Sequence, residues 1–220
     1  LVSRVDEADT FDWATSLAGK EILAGRKGGV PAMTFEYILN ANGLTDGVNV
    51  HMNYDVNFNN MTAAFEGGTA DYCTMFEPVA SEYEKAGKGY IVASVGEASG
   101  EVPYTCFIAR EKYISENESV IEGFLRAVMK GIAYINDTDS ATAAELLKSY
   151  FDGTEVSSIE TSLNSYKAID SWQEDMTMTE DAFNRLQDII DNAGELEKRV
   201  TLSELVDTSY SSRIYAQLNE

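Results

Sequence analysis

Short apolar runs and one-sided helical stripes alternate from residue 20 to residue 109, with only a few turn-forming residues between them. A chain patterned this way has few folds open to it. Strands that alternate with helices through short connections build an α/β layer with a mainly parallel sheet, because each helix carries the chain back to start the next strand in the same direction. Leu17-Ala18-Gly19-Lys20 turns into a strand at Glu21-Ile22-Leu23-Ala24, and Gly25 to Gly29 is a glycine-rich, basic turn. Pro31 suits the first turn of a helix with an apolar stripe through Phe35, Ile38 and Leu39, closed by Asn42-Gly43. The pattern then predicts strands at Val48–Tyr54, Asp71–Phe76, Tyr90–Val95 and Pro103–Ala109, with Gly96 to Gly100 as a loop. Between them fall helices capped by Asn60 and opened by Glu77-Pro78.

After Glu111 the strand signal ends. Helical periodicity predicts helices near 119–136, 139–150, 155–169, 179–192 and 201–218. The coarse organisation is an α/β unit followed by a helical C-terminal tail, with no internal repeat and no low-complexity linker.

The chain has 220 residues and a formal net charge of −21. The field of so acidic a molecule repels nucleic acid and anionic membrane surfaces, and neither is an expected partner. No apolar run approaches the roughly 18–20 residues that cross a bilayer. Cys73 and Cys106 form no C-x-x-C pair and sit among strand-type apolar residues, which reads as two buried free thiols. His51 is the single histidine and has no close cysteine, so no metal site is expected. The chain opens at Leu1 without a charged and apolar targeting segment, which leaves removal of such a segment or an intracellular location as the two readings.

Four segments have chemistry suited to a ligand. Gly25-Arg26-Lys27-Gly28-Gly29-Val30-Pro31 joins a strand to a helix N-terminus, where backbone N–H groups and the helix end favour a ligand's approach. It has neither P-loop nor dinucleotide-site spacing. Asn57-Phe58-Asn59-Asn60-Met61-Thr62 makes the same kind of step. Glu77 follows an apolar strand, and Pro103-Tyr104 places an aromatic phenol on a strand suited to a hinge. In a parallel sheet such steps gather at the carboxyl ends of the strands, where ligands bind. No G-x-S-x-G, H-E-x-x-H or EF-hand pattern is present, and no catalytic role or cofactor is expected.

The segments LAGKEILAGRKGGVPAMTFEYILNANGL, AAFEGGTADYCTMFEPVASEYEKAGKGYIVASVG and GEVPYTCFIAR, in that order, resemble the nitrate/sulfonate/thiamine-precursor group of ABC-transporter substrate-binding proteins. The C-terminal stretch with Trp172, Ala193-Gly194-Glu195-Leu196 and Leu205-Val206 is similar to that group's last helices.

The resemblance implies a type II periplasmic-binding-protein fold, in which two α/β lobes close on a ligand. Residues 1–110 would form one lobe, with its body from about Ala14 to about Gly100 and hinge-crossing strands at Leu1–Arg4 and Pro103–Ala109. Residues 111–220 would belong to the other lobe, whose N-terminal part would lie upstream of Leu1. The tail would then expose apolar surface suited to a further copy of the chain.

Carried over position by position, the implied ligand contacts are Gly28, Gly29, Asn60, Thr62, Glu77 and Tyr104, with Phe76 and Tyr104 suited to stacking on a planar ring. The implied role is extracytoplasmic, either periplasmic or as a lipoprotein. It requires as partners a ligand bound between two lobes, either a small organic molecule or an oxyanion, and a membrane permease, and no cofactor. The alternatives are an enzyme of the thiamine-pyrimidine synthesis type and the ligand-sensing domain of a regulator.

Overall fold

The computed structural model describes residues 1–219. The strands are Val2–Ser3 (β1), Glu21–Leu23 (β2), His51–Asn53 (β3), Tyr72–Cys73 (β4) and Tyr90–Ile91 (β5). They form one open sheet in the order β3-β2-β4-β1-β5. β3, β2 and β4 pair in parallel, whereas β1 is antiparallel to both of its neighbours. Four strands therefore run one way, and β1 alone runs against them. The mainly parallel α/β layer expected from the alternating pattern is present, with strands shorter than the apolar runs that signal them.

Ile22 and Leu23 are adjacent and fully buried, yet they belong to different cores. Successive side chains of a strand point to opposite faces, so this requires a sheet covered on both sides. Tyr72 and Cys73 divide in the same way. On one face Ile22, Met52 and Tyr72 meet Phe35 and Leu39 of the helix Val30–Ala41 (α1). On the other, Leu23 and Cys73 meet Phe65 of Met61–Glu66 (α2) and Ala80 and Tyr83 of Val79–Lys85 (α3). Gly43 closes α1 at φ +77, and Leu44 N–H reaches back to Leu39 O at 2.9 Å, as the Asn-Gly signal predicts.

The chain divides into two compact units, Leu1–Val102 with Arg185–Lys198, and Pro103–Asn184 with Arg199–Glu220. The first holds the sheet. The second is helical: Glu111–Glu116 (α5), Glu118–Asp137 (α6), Ser140–Leu147 (α7), Val156–Ala168 (α8), the start of Glu180–Asn192 (α9), Leu202–Leu205 (α10) and Ser209–Leu218 (α11). Its core is the α7–α8 pair, through Ala143, Ala144, Ile159 and Leu163. α11 lies along α6, held by Arg213 to Glu122 at 2.6 Å and by the Tyr210 hydroxyl to Glu118 at 3.1 Å.

Several expectations are corrected. Pro103–Ala109 forms no strand: its β-prone residues have no neighbouring strand to ladder with among the described residues of its unit. Cys106 is consequently exposed, and only Cys73 is a buried thiol. The expected loop at 96–100 is the short helix Val95–Ser99 (α4), because the Ser94 hydroxyl accepts from Glu97 N–H at 3.1 Å and caps it. The final helix is broken into α10 and α11, since Val206 is extended and Asp207 accepts from Ser209 N–H at 2.9 Å to start the second piece.

The helical unit carries apolar surface. Phe107, Ile108, Val120, Phe124, Leu146 and Tyr150 are exposed, and a mainly apolar groove of about 490 Å³ runs between Val128, Ile135, Leu147 and Trp172.

Candidate functional site

Because β2, β3 and β4 are parallel, the loops that leave their carboxyl ends emerge along one edge of the sheet. Five of the six residues singled out from the sequence lie on these loops or in the helices they open. Gly28 and Gly29 follow β2, Asn60 and Thr62 follow β3, and Glu77 follows β4. Tyr104 is exposed and lies in the helical unit.

The first loop is shaped by its glycines. Gly28 has φ +71, a conformation that L side chains rarely adopt. Gly29 N–H donates to Arg26 O at 2.9 Å, and a β-carbon on Gly29 would stand 3.0 Å from that same oxygen. The turn therefore leaves no room for a larger residue at Gly29 without a shift. It delivers the chain into α1 with Pro31 in the first helical turn. The Lys27 ammonium lies 5.7 Å from the centre of the Tyr54 ring, so this cation faces an aromatic on the neighbouring loop.

Tyr54 donates its hydroxyl to Met52 Sδ at 3.4 Å. Burial pushes that phenol well above its ordinary range, and the negative charges of Glu36 and Asp46 add to the effect. Tyr54 is therefore an uncharged hydroxyl at any physiological pH. Glu36 is itself pushed above the carboxylate range, first by burial and then by Asp46, against the opposing pull of Lys27.

The second and third loops meet through aromatic rings. Phe58 and Phe76 lie 5.8 Å apart between centroids at an interplanar angle of 52°. They are 50% and 38% exposed, which is unusual for paired phenylalanines and leaves an apolar surface at the sheet edge. Phe58 lies within an asparagine-rich turn, and its aromatic pairing is visible only in three dimensions. Asn60 is the residue before α2, but its side chain makes no capping bond, so the cap expected there is not formed. Thr62 is half-buried in α2.

Glu77 has a structural job. Its Oε2 accepts from Ser81 N–H at 3.1 Å and so satisfies a donor in the first turn of α3. The edge thus offers apolar ring faces, amide and hydroxyl groups, and one carboxylate committed on one oxygen. That set suits reversible holding of a small molecule with a flat apolar part and a few polar groups.

The model of the NMT1-like family matches residues 6–149. A protein of Bacillus subtilis (strain 168) named "Putative binding protein YtlA" is 37% identical over 217 residues, 99% of this chain. The chain spans 64% of that relative's length.

Proposed function

The chain belongs to the NMT1-like family, and from that premise we propose that it is the extracytoplasmic solute-binding component of an ABC importer. In this reading the sheet-containing unit is one of two lobes. A small molecule docks against the carboxyl edge of β2, β3 and β4 and is covered by the second lobe. Closure shifts an open–closed equilibrium, and a membrane permease reads the closed form.

The single observation that carries the reading is the partly exposed Phe58–Phe76 pair on that edge, flanked by Gly28-Gly29, Asn60, Thr62 and Glu77. An aromatic pair left open to water costs hydration free energy unless something covers it, and a planar solute is well matched to it. The strand order lends further support. β1 enters the sheet between β4 and β5 and runs against them, as expected of a segment that crosses in from a neighbouring lobe. The name of the Bacillus subtilis relative points the same way.

A thermal-shift screen tests this. Planar nitrogen heterocycles, including thiamine-type pyrimidines, are compared with alkanesulfonates and nitrate on the wild type and on Phe76→Ala. A ligand that binds only the folded state raises the midpoint with its concentration. The expected result is a concentration-dependent rise with a planar heterocycle that F76A loses. A rise that F76A retains in full would move the solute away from this edge.

A further inference from the structure

α9 begins in the helical unit, and Arg185 is its first residue in the sheet-containing unit. The chain leaves the sheet-containing unit at another place, after Val102. A hydrogen bond joins these two places. Arg185 Nη1 donates to Glu101 O at 2.8 Å, across 84 positions of sequence. Both partners belong to the sheet-containing unit.

The turn before Glu101 is shaped to receive the guanidinium. Gly100 closes α4 at φ +70, a conformation that L side chains rarely adopt. A β-carbon there would stand 3.1 Å from Arg185 Nη1 and 3.3 Å from its Cζ, so glycine leaves the space that the planar group fills. The buried Ser99 hydroxyl lies 3.0 Å from both Gly96 O and Gly100 O and steadies the same turn. Arg185 is itself half-buried, on a helix anchored by the buried side chains of Phe183 and Ile189. In a chain with 37 acidic residues this cation is spent on a backbone carbonyl. Such a bond restrains the main chain itself, and the fixed fork of a guanidinium gives it direction. The bond also stands just ahead of Pro103–Ala109, which no strand ladder holds and whose residues 104–109 are exposed.

We infer that the Arg185–Glu101 bond is a hinge latch: it ties two of the places where the chain leaves the sheet-containing unit, so that the two segments turn together. Arg185 is a positioning residue in this role, acting through the backbone and not on the solute. The inference rests on the two-lobed reading above and deepens it, by naming what restrains the hinge. Segments that bend independently sample many lobe orientations. Coupling them narrows that range and reduces the ordering cost of closure.

The test measures an inter-unit distance distribution by double electron–electron resonance on the 220-residue chain. Spin labels are carried by Val48→Cys in the sheet-containing unit and Tyr150→Cys in the helical unit, both highly exposed, in a Cys106→Ser background. Cys73 is buried and stays unlabelled. Arg185→Gln is expected to broaden the distribution, and Arg185→Lys, which keeps a charged donor, to return it toward the width of the parent. Equal widths in the parent and R185Q overturn the latch, as does an R185K distribution as broad as that of R185Q. Helix content by circular dichroism should be the same in all three proteins. A loss of helix in R185Q would assign the broadening to fraying of α9 and would likewise overturn the latch. No solute enters this experiment, so its failure is distinguishable from failure of the solute-binding reading, which the thermal-shift screen decides.

Discussion

Phe58 and Phe76 stand on loops that leave two different strands, and their rings meet at 5.8 Å with substantial faces open to solvent. Neighbouring in space but not in sequence, they define the surface against which a flat solute would rest. Truncating either ring should weaken binding of the best heterocycle by roughly ten-fold while changing the folding midpoint little, because a partly exposed ring contributes about 1 kcal/mol or less of burial. Calorimetric titration of Phe58→Ala and Phe76→Ala against the wild type reads both effects.

Glu77 separates a structural role from a binding role. Its carboxylate accepts from Ser81 N–H at 3.1 Å, so Glu77→Ala should lower stability by about 1 kcal/mol through the lost cap. Glu77→Gln keeps an acceptor and should cost about half of that or less. If E77Q retains its denaturation midpoint yet loses solute affinity, the second carboxylate oxygen faces the ligand. If it loses neither, Glu77 serves α3 alone.

The two thiols should differ sharply in reactivity. Cys73 is fully buried and burial pushes its pKa up to about 12, whereas Cys106 is exposed. A disulfide reagent such as DTNB should titrate one thiol in the native protein and two in denaturant, and Cys106→Ser should abolish the native reaction. Rapid labelling of Cys73 in native C106S would contradict the packing of β4 described above.

Glu36 yields a pH dependence of definite sign. Its carboxyl is pushed above the ordinary range by burial and by Asp46, with Lys27 acting the other way and the uncharged Tyr54 hydroxyl nearby. A group whose folded pKa is raised contributes stability that is fully present below its unfolded pKa and is lost as pH rises through its folded pKa. Glu36→Gln should therefore be more stable than the wild type at neutral pH, and the difference should shrink as pH falls into the carboxylate range. Urea midpoints across that range measure it, and a gap that widens on acidification would refute the assignment.

Much of the sheet-containing unit is legible in the sequence because its signals are local. Asn42-Gly43 announces the end of α1 by the backbone geometry that only a few residues tolerate, and the apolar runs at Glu21–Ala24 and Asp71–Phe76 mark β2 and β4. What escapes is decided by partners. Pro103–Ala109 has the residues of a strand but forms no ladder, and α4 depends on a single Ser94 cap within a run that also reads as a loop. The pairing of Phe58 with Phe76 and the bond from Arg185 to Glu101 join distant parts of the chain, and no spacing rule in the sequence signals either one. Of the residues singled out beforehand, Gly28, Gly29, Asn60, Thr62 and Glu77 share one sheet edge because parallel strands place their outgoing loops together, while Tyr104 belongs to the other unit.

Amide chemical-shift mapping of the 220-residue chain with the strongest heterocycle from the screen tests the central claim most directly. The expected perturbations fall on Gly28 and Gly29, on Phe58 through Thr62, and on Phe76 and Glu77, all at the carboxyl edge of β2, β3 and β4. Perturbations confined to the helical unit, for example at Val128, Ile135, Leu147 and Trp172 around its apolar groove, would contradict it.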